Sequence, residues 1–298
     1  MSFNFLERFL VGGLSALFLA SIPACTSASG PEAGTVEESY WHIRPSWSPD
    51  GTLIAYTVTL PSSPGVYLVD SSGANVHRLV EGEGIGTTWS PDSRWIAFSR
   101  AGGLCKIKIN GDSLTELSTP VGAIRPAWSP AGRQLAFVLR NSPDLTAVWL
   151  YDFAIGSASQ LVSFGDYPSW NALTGELVAL DVQYSGGTAV YRFLAIDVTS
   201  LSDRTLAAFG STSDCAFVSI SPDGSAILYG LKPPDDLAQV WKYESAGNRH
   251  IRLTDDGGDN PAWSPDGSKI VYTRTARGDG GLWIMNADGS GKRRLTQP

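Results

Sequence analysis

Histidine and cysteine are scarce in this chain, which has three of each among 298 residues. Nucleophilic catalysis needs a base beside the nucleophile, and the three histidines, His42, His77 and His250, are widely separated in the sequence. The chain also lacks the Gly-x-Ser-x-Gly, Cys-x-x-Cys and His-Glu-x-x-His motifs that carry hydrolytic, redox and zinc chemistry. We therefore expect no catalytic residues, no metal and no cofactor.

An excess of positive charge is also missing. The formal net charge is -7 at pH 7, and no block of like charges occurs. Nucleic acids are bound by basic surfaces, so this balance argues against a nucleic-acid partner. The apolar run from Phe9 to Ile22 is too short to span a bilayer comfortably, and it indicates a secretory signal.

This signal segment ends in Ile22-Pro23-Ala24-Cys25, which resembles the lipobox of bacterial lipoproteins. We predict a signal peptide over 1–24 with Cys25 lipidated as residue one of the mature chain; the alternative is an ordinary signal peptidase site, with Cys25 incidental. The protein would then be exported and held at a membrane by its lipid alone. In a Gram-negative host this would be the outer membrane, because Thr26 rather than Asp follows the cysteine. Residues 25–39 are small and polar and predict a flexible tether.

Glycine and proline, by contrast, are plentiful, and a motif built on them recurs through the rest of the chain. The motif is Trp-Ser-Pro-Asp-Gly followed by an alternating apolar strand, and it occurs six times, with substitutions, at intervals of 39 to 50 residues. Each copy continues with a second apolar strand, a turn and a short closing strand, so we predict four strands per copy. The residues at the tryptophan position are Trp47, Trp89, Trp128, Trp170, Ile220 and Trp263.

The aspartates and tryptophans of the motif are predicted to be structural. Pro49, Asp50 and Gly51 suit the corners of a tight turn. Ser93 replaces the glycine of the second copy and Ala131 the aspartate of the third, which a turn tolerates better than a catalytic or metal site would. A large aromatic side chain at a fixed strand position fits packing between adjacent sheets.

These repeats predict an all-β fold, a six-bladed β-propeller with four-stranded antiparallel blades over residues 40–298. One such sheet cannot bury both of its faces, whereas six arranged radially can. The stretch PAWSPDGSKIVYT…LWIMNADGSGKRRLT is similar to the TolB-type, WD40-like propeller repeat, and weaker versions of it fill the other copies. A tether, not the α/β domain of TolB, is expected ahead of the ring. The resemblance implies a protein partner, such as a peptidoglycan-associated lipoprotein.

In propellers of this type the first strand of each blade lines the central channel, so the segments that lead into these strands should meet at the channel mouth. Polar residues of these segments are His42, Arg44, Arg125, Asp166, Tyr167, Asp214, Asp259 and Asn260, with Trp41 nearby. Such a ring could receive a peptide segment or bind an ion; alternatively, it is a solvated rim that holds only water.

We therefore expect a non-enzymatic scaffold of the cell envelope that recognises a protein or peptide at its channel-mouth face. The alternative is a carbohydrate-active or sugar-sensing propeller, which could depend on a metal. Arg44 and Arg125 are expected to stand free at the mouth, so that removing both side chains leaves stability nearly unchanged. Cys105 and Cys215 fall on separate blades, and we expect them to be free thiols.

Overall fold

A computed structural model describes residues 42–60, 62–142, 145–185, 188–234, 236–274 and 280–297 of the chain. The predicted signal peptide, lipidation site Cys25, tether and Trp41 lie outside these residues, and only the backbone of His42 is described. None of the described residues form a helix of the length and apolar character that crossing a bilayer requires.

The described chain forms six antiparallel sheets of four strands each, and the four strands of a sheet follow one another in sequence and in space. The predicted six-bladed propeller with four-stranded blades is confirmed. The strands of blades 1 to 3 are β1 (His42–Trp47), β2 (Leu53–Val58), β3 (Gly65–Asp70), β4 (His77–Glu81), β5 (Ile85–Trp89), β6 (Trp95–Arg100), β7 (Gly103–Lys108), β8 (Thr115–Leu117), β9 (Ala123–Trp128), β10 (Gln134–Ser142), β11 (Leu145–Asp152) and β12 (Ser157–Val162). Those of blades 4 to 6 are β13 (Asp166–Trp170), β14 (Leu177–Ser185), β15 (Thr188–Ile196), β16 (Asp203–Ser211), β17 (Asp214–Ile220), β18 (Ala226–Lys232), β19 (Gln239–Glu244), β20 (Arg249–Arg252), β21 (Asp259–Trp263), β22 (Lys269–Arg274), β23 (Gly281–Asn286) and β24 (Arg293–Arg294).

The core consists of six apolar clusters, one between each pair of neighbouring blades. The cluster between blades 6 and 1 contains Tyr56 and Leu282, both almost fully buried, so side-chain packing closes the ring. Burial of both faces of every sheet is what makes short, four-stranded blades stable. Cys105 lies in the cluster between blades 1 and 2, and Cys215 in the cluster between blades 4 and 5. Both are free thiols, and burial raises the pKa of each.

The Ser-Pro-Asp-Gly segments are tight turns that their own side chains hold together. The serine hydroxyl donates a hydrogen bond to the aspartate two residues later, over 2.6 Å from Ser48 to Asp50 and again from Ser264 to Asp266. Each of these aspartates also accepts a backbone N–H from two residues further on, at 3.0 Å. The structural role predicted for the aspartates is confirmed. Ser93 takes the left-handed conformation, with a φ of 59°, that glycine takes in the neighbouring copies.

The tryptophans of the motif pack between blades, as predicted. Trp89 is 5% exposed and Ile220 is 8% exposed, whereas the other four are only partly buried against their clusters. Two indole N–H groups also donate to the first strand of the preceding blade, from Trp89 to the Ser46 carbonyl at 3.0 Å and from Trp170 to the Ala127 carbonyl at 2.9 Å. These bonds connect blade 2 to blade 1 and blade 4 to blade 3.

The two rims of the ring are built from different connections. On one rim the segment that enters a blade meets the loop between the second and third strands of the preceding blade, since Gly122 N–H donates to the Gly102 carbonyl at 2.6 Å. The Ser-Pro-Asp-Gly turns form the opposite rim, where a Cβ added to Gly51 would lie 3.6 Å from the ring of Pro265 in blade 6. We call the first rim the mouth face and the second the turn face.

Candidate functional site

A β-bulge interrupts the first strand of every blade, and it positions the side chains that line the channel. In all six blades the pairing of the first and second strands shifts register at this point. The residue at the bulge lies three positions before the motif tryptophan, and its φ is positive in every copy. These residues are Arg44, Gly86, Arg125, Tyr167, Phe217 and Asn260, with φ between 50° and 71°.

The six bulge residues surround a cavity of about 160 Å³ in the channel, together with residues of the same strands that follow them. We call it the mouth cavity. A left-handed conformation is unfavourable for residues other than glycine, and such strain is concentrated at functional sites in proteins. Only blade 2 uses glycine here. The other five blades therefore carry a side chain into the channel at a cost in backbone energy.

Arg125 lies at the centre of a buried polar cluster on one side of the mouth cavity. Its guanidinium forms an ion pair with Asp166, with one contact at 2.6 Å to Oδ2, and it donates to the Tyr167 hydroxyl at 3.0 Å. The Arg125 guanidinium also stacks over the Tyr167 ring, 4.0 Å from its centroid. Burial opposes the charge on Arg125, but the Tyr167 and Asp166 oxygens outweigh it and raise its pKa. The charge of Arg125 is thus already paired within the protein.

Arg44 faces the same cavity without such partners. Its guanidinium lies 5.7 Å from the centroid of the Phe217 ring and next to Gly86, where an added Cβ would come within 3.2 Å of it. No hydrogen bond or ion pair from this guanidinium is found among the residues that the structure describes. Burial, followed by repulsion from Arg125, lowers the pKa of Arg44 to about 10, which leaves it cationic at neutral pH. Arg44 is therefore available for an anionic group.

Asn260 lines the cavity on the side of blade 6, and Asp259 precedes it in β21. Burial raises the pKa of Asp259 to about 7, although the Asn260 N–H, Arg44 and Lys232 pull it down. The absence of a side chain at Gly230 makes room for this carboxylate, since a Cβ there would lie 2.3 Å from Oδ1. The Oδ1 atom of Asn260 is buried, and no described residue hydrogen-bonds to it. The cavity therefore offers a cation without a hydrogen-bonded partner among the described residues and an unused acceptor, and next to it lies a carboxyl group that titrates near neutrality.

The structure brings five of the predicted site residues together at the mouth cavity and its wall: Arg44, Arg125, Asp166, Tyr167 and Asn260. Asp259 adjoins them through Arg44. Asp214 does not take part, because it is exposed at the start of β17, three residues before the bulge rather than one. His42 cannot be assigned, since its side chain is not described. Arg44 and Arg125, expected to be alike, differ: Arg125 is ion-paired with Asp166, whereas Arg44 has no ion pair with a described residue.

Sequence reasoning missed Gly86, Phe217 and Gly230. The first two could have been found by counting back three residues from each motif tryptophan, or from Ile220, because this count identifies the bulge residue in all six copies. Gly230 has no such signal, because it makes room for a carboxylate of the next blade. Within the described residues no three His, Cys, Asp or Glu side chains stand close enough to hold a metal ion.

Comparison with known proteins supports the fold assignment. No family model matches the chain. Over 107 residues it is 35% identical to an uncharacterised protein of Agrobacterium fabrum, covering 34% of this chain and 36% of that one. Over 178 residues it is 29% identical to the Tol-Pal system protein TolB of Gluconobacter oxydans, covering 58% of this chain and 38% of that one. The matched segments thus span little more than a third of either curated relative.

Solved structures agree with these matches. A structure assigned to TolB of Agrobacterium tumefaciens superposes with a TM-score of 0.63 at 20% identity, over 74% of this chain and 84% of that one. An oligogalacturonate lyase in complex with manganese superposes with a TM-score of 0.54 at 14% identity, over 86% of this chain and 78% of that one. At this identity both likenesses show the fold alone. The chain folds as a TolB-type six-bladed β-propeller.

Proposed function

We propose that this propeller is a non-enzymatic, TolB-like binding protein of the bacterial cell envelope that receives a segment of a protein partner in its mouth cavity. The observation that carries the proposal is the free guanidinium of Arg44, which faces a cavity where no described residue pairs with it. A buried cation without a hydrogen-bonded partner is costly even with Asp166 and Asp259 nearby, and an acidic group of a bound segment would lower that cost. Asn260 Oδ1 would accept a backbone N–H of the same segment.

The TolB likeness and the sequence both support the proposed location. The relative from Gluconobacter oxydans is a Tol-Pal system protein, which supports an envelope location, and the segment over 1–24 has the character of an export signal. Cys25 would carry the lipid that holds the propeller at a membrane, the outer one in a Gram-negative host. The relative named after the Tol-Pal system makes a peptidoglycan-associated lipoprotein the first partner to test.

Catalysis is left out of the proposal because the mouth cavity offers few groups for it. Of the two carboxylates there, Asp166 is bound to Arg125, and Asp259 stands without a histidine or a second free carboxylate beside it among the described residues. The oligogalacturonate lyase likeness still calls for a direct test. We expect no consumption of trigalacturonate with manganese present; turnover would replace the binding proposal with an enzymatic one.

The test of binding is a comparison of two arginine variants. The tagged full chain is crosslinked in cells of its own host and purified with whatever it holds. Arg44→Gln removes the proposed contact, and Arg204→Gln is the matched control, since Arg204 is exposed on an outer strand and its ion pair among the described residues is with Glu176. We expect a specific envelope protein to be captured by the wild type and the control and lost with Arg44→Gln.

The affinity of the captured protein then gives the quantitative result. A hydrogen-bonded charge contact is worth enough that Arg44→Gln should weaken binding about tenfold or more in calorimetry with the purified partner. Capture that is equal for both variants, or the absence of any specific partner, would show that the mouth cavity does not bind a protein segment.

A further inference from the structure

A second cavity lies on the turn face, between blades 2 and 3. Its volume is about 460 Å³, which is in the range of small-molecule sites. We call it the slot. It is lined by Ser90, Pro91, Asp92, Trp95, Lys106, Trp128, Ala131, Gly132 and Phe153. None of these residues belongs to the mouth cavity, and the inference drawn from them is independent of the proposed function.

Aromatic rings form the walls of the slot. Trp128 and Phe153 of blade 3 stack with their centroids 4.9 Å apart and their planes 22° apart, and Trp95 faces them from blade 2. All three rings are only partly buried. Trp95 occupies a position where the other blades have smaller or more flexible side chains, such as Leu53 or Ala226. A set of partly open aromatic faces suits a flat ligand with a weakly polar surface.

Two lysines place positive charge over these rings. The Lys106 ammonium lies 4.7 Å from the Trp95 centroid and 5.1 Å from the Phe153 centroid, and the Lys108 ammonium lies 5.3 Å from Trp95. Neither ammonium has a hydrogen bond or an ion pair with any residue that the structure describes. Contact with ring faces offsets only part of what desolvation costs a cation. Lys106, which lines the slot, and Lys108, which lies beside Trp95, therefore carry charges that no described residue pairs with, although the Asp92 carboxylate also lines the slot.

In blade 5 the lysine at the same repeat position as Lys106 is paired within the protein. Lys242 stands where Lys106 stands in blade 2, since each lies opposite the third residue of its second strand. Its ammonium donates to the Ala287 carbonyl at 3.1 Å and pairs with Glu244 at 2.9 Å, so its charge is satisfied. In blade 2 the position of Glu244 is taken by Lys108. The neutralising partner is thus replaced by a second cation.

We propose that the slot binds an acidic sugar residue, whose carboxylate is held by Lys106 and Lys108 while its ring stacks on the aromatic walls. The Asp92 carboxylate, at the edge of the slot, would accept hydrogen bonds from the sugar hydroxyls. The hydrogen bond from Ser90, 2.5 Å long, lowers the pKa of Asp92 and keeps it an acceptor at neutral pH. An aromatic acid would use the lysines and rings but would bring no ring hydroxyls to Asp92, which favours the sugar.

The test is binding of trigalacturonate to the full chain, measured by calorimetry and by quenching of tryptophan fluorescence. Lys106→Met removes one cation, and Lys242→Met is the matched control at the same repeat position in blade 5. We expect Lys106→Met to weaken binding about tenfold and Lys242→Met to leave it unchanged once thermal unfolding shows that both variants are folded. Maltotriose, a neutral trisaccharide, should bind far more weakly than trigalacturonate.

Three outcomes would overturn the proposal. The first is no binding of trigalacturonate up to about 10 mM, a concentration beyond which an affinity carries no specificity. The second is equal binding of maltotriose or stronger binding of benzoate, because either would remove the acidic sugar as the ligand class. The third is binding that Arg44→Gln abolishes and Lys106→Met spares, because the sugar would then occupy the mouth cavity instead of the slot.

Discussion

Two repeat positions around this ring have a left-handed backbone conformation in every blade, and they differ in the type of residue that occupies them. On the turn face the position belongs to glycine in five of the six blades, and Ser93 is the exception. In the channel the position belongs to glycine only in blade 2, and the other blades place Arg44, Arg125, Tyr167, Phe217 and Asn260 there. Both positions require a positive φ, yet one is occupied almost entirely by glycine and the other by residues with side chains.

The difference is the one expected if the turn face is scaffold and the channel holds the proposed site. Where the ring needs only a reversal of the chain, glycine meets the requirement at the least strain. In the channel, residues with side chains hold the left-handed conformation instead, each at a cost of about 1–2 kcal/mol. Gly86 shows that the bulge itself tolerates glycine. The side chains at the other five bulges are therefore explained by what they contact or bind.

The largest effect is expected from the channel side chain that the structure uses. Arg125→Ala leaves Asp166 buried without its cation, and breaking a buried pair in this way costs about 3–5 kcal/mol. Arg44→Ala, at the same repeat position, should cost less than about 1 kcal/mol because no pair is broken. Urea unfolding of the two variants measures the contrast. Equal losses would mean that the two arginines are not divided between scaffold and site.

A smaller effect should depend on pH. The pKa of Asp259 is about 7 in the folded protein and near 3.8 when unfolded, so the folded state holds its proton more tightly. The stability that this proton gives is complete below pH 3.8 and is lost as the pH rises through 7. Relative to Asp259→Asn, the wild type should lose about 2 kcal/mol between pH 5 and pH 8. Parallel stability curves for the two proteins would place Asp259 in solvent.

The turn face should respond to glycine with a gain. Ser93 holds a φ of 59° without the freedom that glycine has, so Ser93→Gly should relieve strain. We expect the free energy of unfolding to rise by about 0.5–1 kcal/mol, reduced by the hydrogen bond from the Asp50 N–H that the serine hydroxyl now accepts. Thermal unfolding measures this gain in stability, with Ser93→Ala as the control, since alanine removes the hydroxyl and keeps the strain.

The smallest change in stability is expected where the change in binding is largest. Arg44→Gly relieves the same kind of strain and removes a buried charge, while the unfolded chain gains entropy, so the net change should stay within about 0.5 kcal/mol. Loss of the partner with an unchanged melting temperature would confirm that this side chain serves recognition. A clear loss of stability would instead assign Arg44 to the scaffold.

Much of the fold could be predicted because its turns and strands depend on residues that are close together in the sequence. Ser-Pro-Asp-Gly forms a turn from interactions within five residues, as the bond from Ser48 to Asp50 shows, and alternation of apolar residues marks each strand. Residues that depart from the repeat motif still have the role of the residue they replace: Ser93 has the turn geometry of glycine, and Ile220 packs between blades as the tryptophans do. Local rules of this kind repeat, so six imperfect copies support one another.

The site was predicted less well because its interactions join different blades. Arg125 and Asp166 are 41 residues apart and meet only because blades 3 and 4 are neighbours. Nothing near Arg44 in the sequence tells it apart from Arg125. Asp214 was misplaced because the segments that enter the blades differ in length, and two residues of offset carry a side chain out of the channel. The slot was not foreseen, since its rings and lysines come from two blades.

What the sequence determined alone is the ring: six copies of a four-stranded unit, their turns, and the apolar residues that have to be buried. The tertiary structure decided which side chains become partners across the channel and between blades, and which cations remain without one. The reason is that turns and strand alternation depend on contacts over a few residues, whereas pairing and desolvation depend on where whole blades place their side chains.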